Sequence, residues 1–196
     1  MIAKLLQSVP LFDVLVRVDR DIAEKAWKGP CQYCMAGILH RADYPRKPRG
    51  HPAGLERNWD WELRHSFCCS REGCRRRTTT PSVRFLGRRV YLGVVVALVS
   101  AMAHGATAGR MRRLREELGV DRRTVERWRR WWRETFVETP FWKEFRGRLA
   151  RPVEEGGLPG SLWERFGRTR EGLVAMMGAI SPVTTASCPG AEGPAM

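Results

Sequence analysis

The alternation of apolar and polar positions divides the chain into helical segments on either side of a strand-like one. Within residues 11–28 the apolar positions recur at the three- and four-residue spacing of a helix. These positions are Leu11, Val14, Leu15, Val18, Ile22 and Ala26. The pattern predicts an amphipathic N-terminal helix that packs its apolar stripe on the rest of the protein, and the Gly-Pro pair at 29–30 ends it.

Residues 59–69 carry the clearest period of two in the chain. One face of this predicted strand holds Trp59, Trp61, Leu63, His65, Phe67 and Cys69, and the other holds Asp60, Glu62, Arg64, Ser66 and Cys68. Such alternation is typical of a strand that is buried on one side only. Residues 36–44 predict a second short strand. Residues 45–54 form a basic loop rich in Pro and Gly, either a solvated tip or an arm along phosphates.

The longest apolar run extends from Val90 to Ala103 and predicts a buried helix over residues 88–104. The run is shorter than the roughly 18 to 20 residues that a bilayer span needs, so we expect no membrane association. Its apolar character on every side indicates that it lies between other elements, as the first helix of a three-helix unit.

Two more helices and a glycine turn follow this run. Thr107 begins the first helix, Gly119 makes the turn and Asp121 caps the second helix. The predicted inward positions are Met111, Leu114, Leu118, Val120, Val125, Trp128 and either Trp131 or Trp132. The predicted exposed positions of the second helix are Arg122, Arg123, Thr124, Glu126, Arg127 and Arg130.

A short turn that leads into a basic helix is what a helix-turn-helix needs to present side chains to the major groove. An ordinary helical hairpin with basic faces is the alternative. Four tryptophans could instead stack on unpaired bases, although their spacing favours a place in the core. They are Trp128, Trp131, Trp132 and Trp142.

The C-terminal part predicts three short helical segments and a tail. Thr139 and Pro140 begin one helix, residues 151–160 form a linker, and Ser161 caps a short helix. A last apolar helix is predicted near 170–180, and residues 181–196 are predicted to be disordered.

The spacing of five cysteines predicts a metal site. Cys31 and Cys34 form a C-x2-C turn, and Cys69 and Cys74 form a C-x4-C turn after 34 intervening residues. Two such turns can aim four thiolates at one tetrahedral Zn²⁺, whereas a redox C-x2-C would open a helix of a βαβ unit that is not visible here. Cys68 competes as the third ligand. Strand parity favours Cys69, which shares a face with the aromatic residues.

The charge balance favours a polyanionic partner. The 35 Lys and Arg residues exceed the 21 Asp and Glu residues, which gives a net charge of +14 and suits nucleic acid. The arginines around the second cysteine turn are Arg71, Arg75, Arg76, Arg77, Arg84, Arg88 and Arg89. The hydroxyls among them belong to Thr78, Thr79, Thr80 and Ser82. This mixture predicts contact with the DNA backbone, with a solvated charge run as the alternative.

The order of these motifs over about residues 29–136 resembles the N-terminal zinc-ribbon and helix-turn-helix region of bacterial insertion-sequence transposases. The resemblance implies a DNA-reading helix from Asp121 to Arg130 and four zinc ligands, Cys31, Cys34, Cys69 and Cys74. The chain departs from that family in its C-x4-C second pair, where C-x2-C is usual. Full transposases also continue into an RNase-H-like catalytic domain, for which the 60 residues after residue 136 leave no room.

The predicted fold is α+β and mainly α, with a small zinc-ribbon β-hairpin followed by a helix-turn-helix bundle. The predicted units are an N-terminal helix (1–28), a zinc-ribbon-like module (29–87), a helical module (88–150), a linker with C-terminal helices (151–180) and a tail (181–196).

The predicted function is non-catalytic, sequence-specific binding of double-stranded DNA by a mobile-element accessory factor or regulator with structural zinc. The predicted DNA contacts are Arg75, Arg76, Arg77, Arg122, Arg123, Thr124, Arg127 and Arg130. No catalytic motif is present. A zinc-dependent RNA-binding or protein-adaptor module is the alternative. The N-terminus lacks a signal-peptide pattern, so we expect a cytoplasmic, nucleoid-associated protein, with a homodimer or a mobile-element protein as further candidate partners.

Overall fold

The computed structural model describes residues 5–6, 8–46, 59–86, 92–102 and 107–184. Helices dominate these segments, and a three-stranded and a two-stranded antiparallel sheet accompany them. The α+β, mainly α class that the sequence predicts is therefore confirmed.

The N-terminal helix α1 spans Val9–Lys28. The Ser8 side chain accepts a hydrogen bond from the Leu11 N–H, and Pro10 occupies the first turn, where its missing N–H costs nothing. Its buried residues are Leu11, Phe12, Leu15, Val16, Asp19 and Ala23. Because these contact elements from both ends of the chain, α1 is a central part of the fold.

The larger sheet has the strand order β1 (Leu39–Arg41), β4 (Ser66–Cys69), β5 (Arg77–Thr79), with every pair antiparallel. The register places Leu39 opposite Cys69. The smaller sheet pairs β2 (Tyr44–Pro45) with β3 (Leu63–Arg64).

The predicted continuous strand over 59–69 is wrong in its first part. Trp59–Glu62 form a short helix, α2, before β3 and β4 begin. The polar face is not exposed either, because Arg64 and Ser66 are buried. The Ser66 hydroxyl donates to the Ala42 carbonyl at 2.5 Å, and the Arg64 guanidinium lies over the Phe85 ring. Neighbouring segments therefore cover both faces at this point.

The apolar helix α3 spans Gly93–Ser100, and every residue in it is buried. It is shorter than the predicted 88–104. Residues 88–91 and 103–104 of that prediction lie outside the described residues.

Helices α4 (Ala108–Leu118) and α5 (Arg122–Arg130) follow as predicted, and a π-helical turn, Trp131–Phe136, continues α5. Both Trp131 and Trp132 are buried, where the sequence predicted only one of them inside. In a π turn each hydrogen bond spans five residues instead of four, which changes which side chains point inward. Helical periodicity alone does not predict this.

The C-terminal part forms α6 (Pro140–Gly147), a 3-10 turn (Glu155–Gly157), α7 (Gly160–Arg165) and α8 (Arg170–Ile180). Ser161 does not cap α7, because its hydroxyl donates to the Glu154 carbonyl at 2.6 Å. Predicted disorder is wrong for Ser181–Thr184, a 3-10 turn whose Thr184 hydroxyl accepts from the Ser82 N–H at 2.9 Å. Residues 185–196 lie outside the described part.

The main hydrophobic core joins α1, the segment 83–86 and the helices from α3 to α8. A second, smaller cluster packs Ala23, Leu39 and Phe67 against Cys31 and Cys69. The cysteines are thereby attached to the C-terminal half of α1. The domain boundaries predicted from the sequence stay predictions.

Candidate metal centre and basic surfaces

Four cysteine sulfurs converge beside the larger sheet. The Sγ atoms of Cys31, Cys34, Cys69 and Cys74 all lie within 4.8 Å of one another. The Cys31–Cys74 pair is 3.8 Å apart and the Cys34–Cys69 pair 3.7 Å. A tetrahedral zinc ion with Zn–S bonds of about 2.3 Å requires sulfurs about 3.8 Å apart. The four residues nominated from the sequence could therefore hold one metal ion.

Backbone hydrogen bonds shape each cysteine turn. In the first turn, the Met35 N–H donates to the Cys31 carbonyl at 2.8 Å. In the second, the Arg71 N–H donates to the Cys69 Sγ at 3.4 Å. The Ser70 N–H donates to the Ile38 carbonyl at 2.8 Å and so ties the two turns together.

Cys69, and not Cys68, belongs to the cluster. Cys69 is 1% exposed and follows the buried Phe67 on the covered face of β4. The Cys68 Sγ lies on the other face, 3.7 Å from the Arg75 carbonyl. Strand parity chose the correct cysteine because the last two residues of β4 do alternate as predicted.

The thiols differ in their acidity. The Ala36 N–H, followed by the Gly37 N–H, lowers the pKa of Cys34 to about 6, and the Tyr33 N–H lowers the pKa of Cys31. Burial raises the pKa of Cys69 to about 12. The first turn thus stabilises thiolates, which are the metal-binding form of cysteine.

Gly37 is a structural requirement that the sequence analysis missed. A Cβ atom at this position would lie closer than 3.0 Å to the Cys69 Sγ and 3.3 Å from the Cys34 Sγ. The Gly37 carbonyl also accepts from the Cys31 N–H at 3.0 Å. A glycine three residues after a C-x2-C pair is a signal that could have identified it.

Each cysteine turn ends in a left-handed residue directly after its second cysteine. Met35 has φ 56° and Arg75 has φ 44°, a region that residues other than glycine rarely adopt. Gly73, within the second turn, also has a positive φ, 83°.

We call the predicted zinc-ribbon-like unit, residues 29–87, the cysteine module. Its predicted backbone-contacting arginines fall into two groups. Arg75, Arg76 and Arg77 are exposed. Arg84 is 1% exposed and its Nε donates to Asp19 Oδ2 at 2.7 Å, so the prediction that it contacts phosphates is wrong. Thr78, Thr80 and Ser82 are buried too. Arg88, Arg89 and residues 47–54 of the basic loop lie outside the described residues.

The turn between α4 and α5 has the local structure that the sequence predicts. Gly119 adopts φ 64°, Val120 is fully buried, and Asp121 Oδ1 accepts from the Thr124 N–H at 2.7 Å. The N–H and hydroxyl of Thr124 lower the pKa of the Asp121 carboxyl. The start of α5 is therefore closed by a charge-assisted cap.

The outer face of α5 is strongly basic. Its exposed residues are Arg122, Arg123, Glu126, Arg127 and Arg130. The predicted exposure of Thr124 is wrong, because this residue is only 7% exposed. Its side chain turns back towards Asp121, on the side of the helix that carries the buried Val125 and Trp128.

The four candidate stacking tryptophans belong to the core. Their exposed fractions are 8% or less. Trp131, Trp132 and Trp142 each pack on Phe136, and Trp131 also contacts Trp132. Stacking of bases on these rings is therefore excluded.

No protein-family model, curated protein or solved structure matches this chain. Among the described residues, no helix combines the length and the apolar character that a membrane crossing requires.

Proposed function

We propose that this chain is a non-catalytic protein that binds double-stranded DNA and is stabilised by one structural zinc ion. The observation that carries the proposal is the outer face of the well-capped helix α5, where four arginines and one glutamate are exposed and the opposite face buries Thr124, Val125 and Trp128. Such a helix after a glycine turn fits the second helix of a helix-turn-helix, whose first turns enter the major groove.

The chemistry of this face suits base reading. Arginine can donate two parallel hydrogen bonds to the O6 and N7 atoms of guanine. Arg123 and Arg127 lie one turn apart and are both exposed, so they can reach neighbouring base pairs. Buried Val125 and Trp128 hold the opposite side of the helix on the core.

The cysteine module would supply contacts to the DNA backbone. Arg75, Arg76 and Arg77 follow Cys74 directly, and all three are exposed. Four sulfur ligands complete a tetrahedral zinc shell and leave no position for a substrate, so the metal would stabilise structure. Its role is then to keep these arginines in a fixed arrangement.

The proposed biological setting is that of an accessory factor or regulator of a mobile element. It rests on the resemblance of the cysteine module and the following helix pair to the DNA-binding region of insertion-sequence transposases.

The test is the affinity for duplex DNA of zinc-loaded protein in which Arg123 and Arg127 are both changed to alanine. We expect a loss of roughly thirtyfold or more, since each of the two bidentate base contacts contributes about 1 to 3 kcal/mol. The control removes two exposed arginines elsewhere, Arg151→Ala with Arg165→Ala, and should cost much less. Equal effects of the two double variants would contradict base reading by α5.

A further inference from the structure

The first cysteine turn and its surroundings expose an unusual amount of apolar surface. Among the described residues, the exposed large apolar side chains are Val9, Trp27, Tyr33, Met35, Ile38 and Trp59. Four of these six lie within residues 27–38. Met35 is 69% exposed and Ile38 is 72% exposed. We call Trp27, Tyr33, Met35 and Ile38 the aromatic knuckle surface.

The two rings of this surface are each paired with an arginine. The Arg76 guanidinium lies over the Tyr33 ring at 5.1 Å, and the Arg41 guanidinium lies over the Trp27 ring at 5.0 Å. The Trp27 Nε1 donates to the Leu39 carbonyl at 2.9 Å, which fixes the orientation of its ring. Both residues remain more than 40% exposed. They are therefore held in place while part of their surface stays open.

The charge around the aromatic knuckle surface indicates which kind of partner it binds. Arg71, Arg75 and Arg76 are exposed next to the second cysteine turn, and Glu72 is the exposed acid among them. Near Trp27, the Arg41 Nη1 atom lies 4.0 Å from Asp43 Oδ2, and the same carboxylate also contacts His65. The net charge of the region is positive, which favours a polyanion over an apolar or basic peptide.

Rings that alternate with guanidinium groups bind bases by stacking, provided that the bases are free of their own stack. A closed duplex buries its base faces and offers only groove edges and phosphates. We infer that the aromatic knuckle surface binds unpaired bases of a DNA strand whose duplex part α5 contacts. This inference rests on the proposed function for the presence of the duplex, but the stacking itself does not depend on α5.

The experiment compares three DNAs with the same total phosphate count: a blunt duplex, a forked duplex with an unpaired arm, and a single strand. Zinc-loaded wild type should bind the forked DNA about tenfold or more tightly than the blunt duplex. Tyr33→Ala should remove this preference and should change blunt-duplex affinity far less, because the Arg76 guanidinium loses the ring beneath it while Arg75, Arg77 and the arginines of α5 are unchanged. Tyr33→Phe keeps the ring and should retain the preference, and the zinc content of each variant checks that the cysteine turn is intact.

The possible negative results separate the stacking inference from the proposed duplex function. The inference is overturned if wild type binds blunt and forked DNA with equal affinity, or if Tyr33→Ala behaves as wild type on all three DNAs. Either result leaves a protein partner as the occupant of this surface. Loss of single-strand binding in Tyr33→Ala, with no blunt-duplex binding by any variant, supports stacking and contradicts the proposed duplex function.

Discussion

Formation of the cysteine cluster depends on the positions of a few atoms at Cys69 and Gly37. Cys68 and Cys69 are neighbours, yet only the Cys69 sulfur reaches the other three, because alternate strand residues point to opposite faces. Gly37 leaves the space that the Cys69 sulfur occupies. Both residues can be tested by changes of a few atoms.

Zinc content should distinguish the two neighbouring cysteines. Cys69→Ser removes one of the four sulfurs and should lower the zinc content from about one ion per chain towards zero. Cys68→Ser changes the same kind of side chain one residue away and should keep wild-type zinc. Metal analysis of both purified variants gives the answer, and retention of zinc by Cys69→Ser would show that the ligand set is wrong.

Gly37→Ala should weaken zinc binding although no ligand is changed. The added Cβ would push on the Cys69 and Cys34 sulfurs, and displaced supporting groups cost metal sites roughly tenfold to a hundredfold in affinity. Competition with a chelator measures the loss. Gly109→Ala is the control, because nothing lies within 4 Å of its new Cβ. Equal zinc affinity of Gly37→Ala and wild type would refute the packing argument.

At the scale of elements, α5 owes its position to its first turn. Asp121 caps it, Gly119 turns the chain and Val120 fills the space beneath. The sequence predicted these three features because each depends on local chemistry. It did not predict the buried Thr124, whose side chain serves the cap, nor the π turn that buries Trp131 and Trp132 together.

Removal of the cap should destabilise the protein and weaken DNA binding. Asp121→Ala leaves the Thr124 N–H without its acceptor and should cost about 1 kcal/mol in the free energy of unfolding. Asp121→Asn can still accept this bond and should lose less. Chemical denaturation measures both variants, and an Asp121→Ala protein as stable as wild type would rule out a role for the cap.

The Asp121 cap also makes the stability of the folded protein depend on pH, in a direction that the pKa shift determines. The folded-state pKa of Asp121 lies below its ordinary value of 3.8, so the ionised form contributes stability above that value. That contribution falls as pH drops through the lower folded pKa. The stability advantage of wild type over Asp121→Asn should therefore shrink below about pH 4. An advantage that grows on acidification would contradict this assignment.

At the scale of the whole molecule, a buried ion pair joins α1 to the segment before α3. Asp19 is 2% exposed and accepts from the Arg84 Nε at 2.7 Å, the Ser82 hydroxyl at 2.5 Å and the Val83 N–H at 2.6 Å. The Arg84 Nη2 donates to the Leu63 carbonyl at 2.7 Å. This network connects the N-terminal helix, the cysteine module and the main core.

Asp19→Ala should be far more damaging than a surface change. It leaves the Arg84 charge buried without its carboxylate and should cost about 3 to 5 kcal/mol of unfolding free energy. Asp21→Ala, an exposed neighbour on α1, should change stability by less than about 0.5 kcal/mol. Denaturant titration compares them, and similar midpoints would show that the network contributes little.

The network also explains where the sequence analysis failed. Arg84 lies in a run of arginines and has the local appearance of a phosphate contact, while its partner Asp19 is 65 residues away. Arg64 and Ser66 likewise alternate as exposed residues would, but distant segments cover them. The helices and the four cysteines could be predicted from local spacing. Burial of single polar residues depends on long-range packing, which a pattern does not contain.

The exposed arginines of α5 and the exposed Arg75, Arg76 and Arg77 are proposed to bind duplex DNA through several phosphates. The most direct test is the affinity of zinc-loaded protein for a blunt duplex, measured over a range of salt concentrations. Contacts to five or more phosphates predict a slope of log affinity against log salt of about −4.5 or steeper. A slope near zero, or no duplex binding at low salt, would contradict the account.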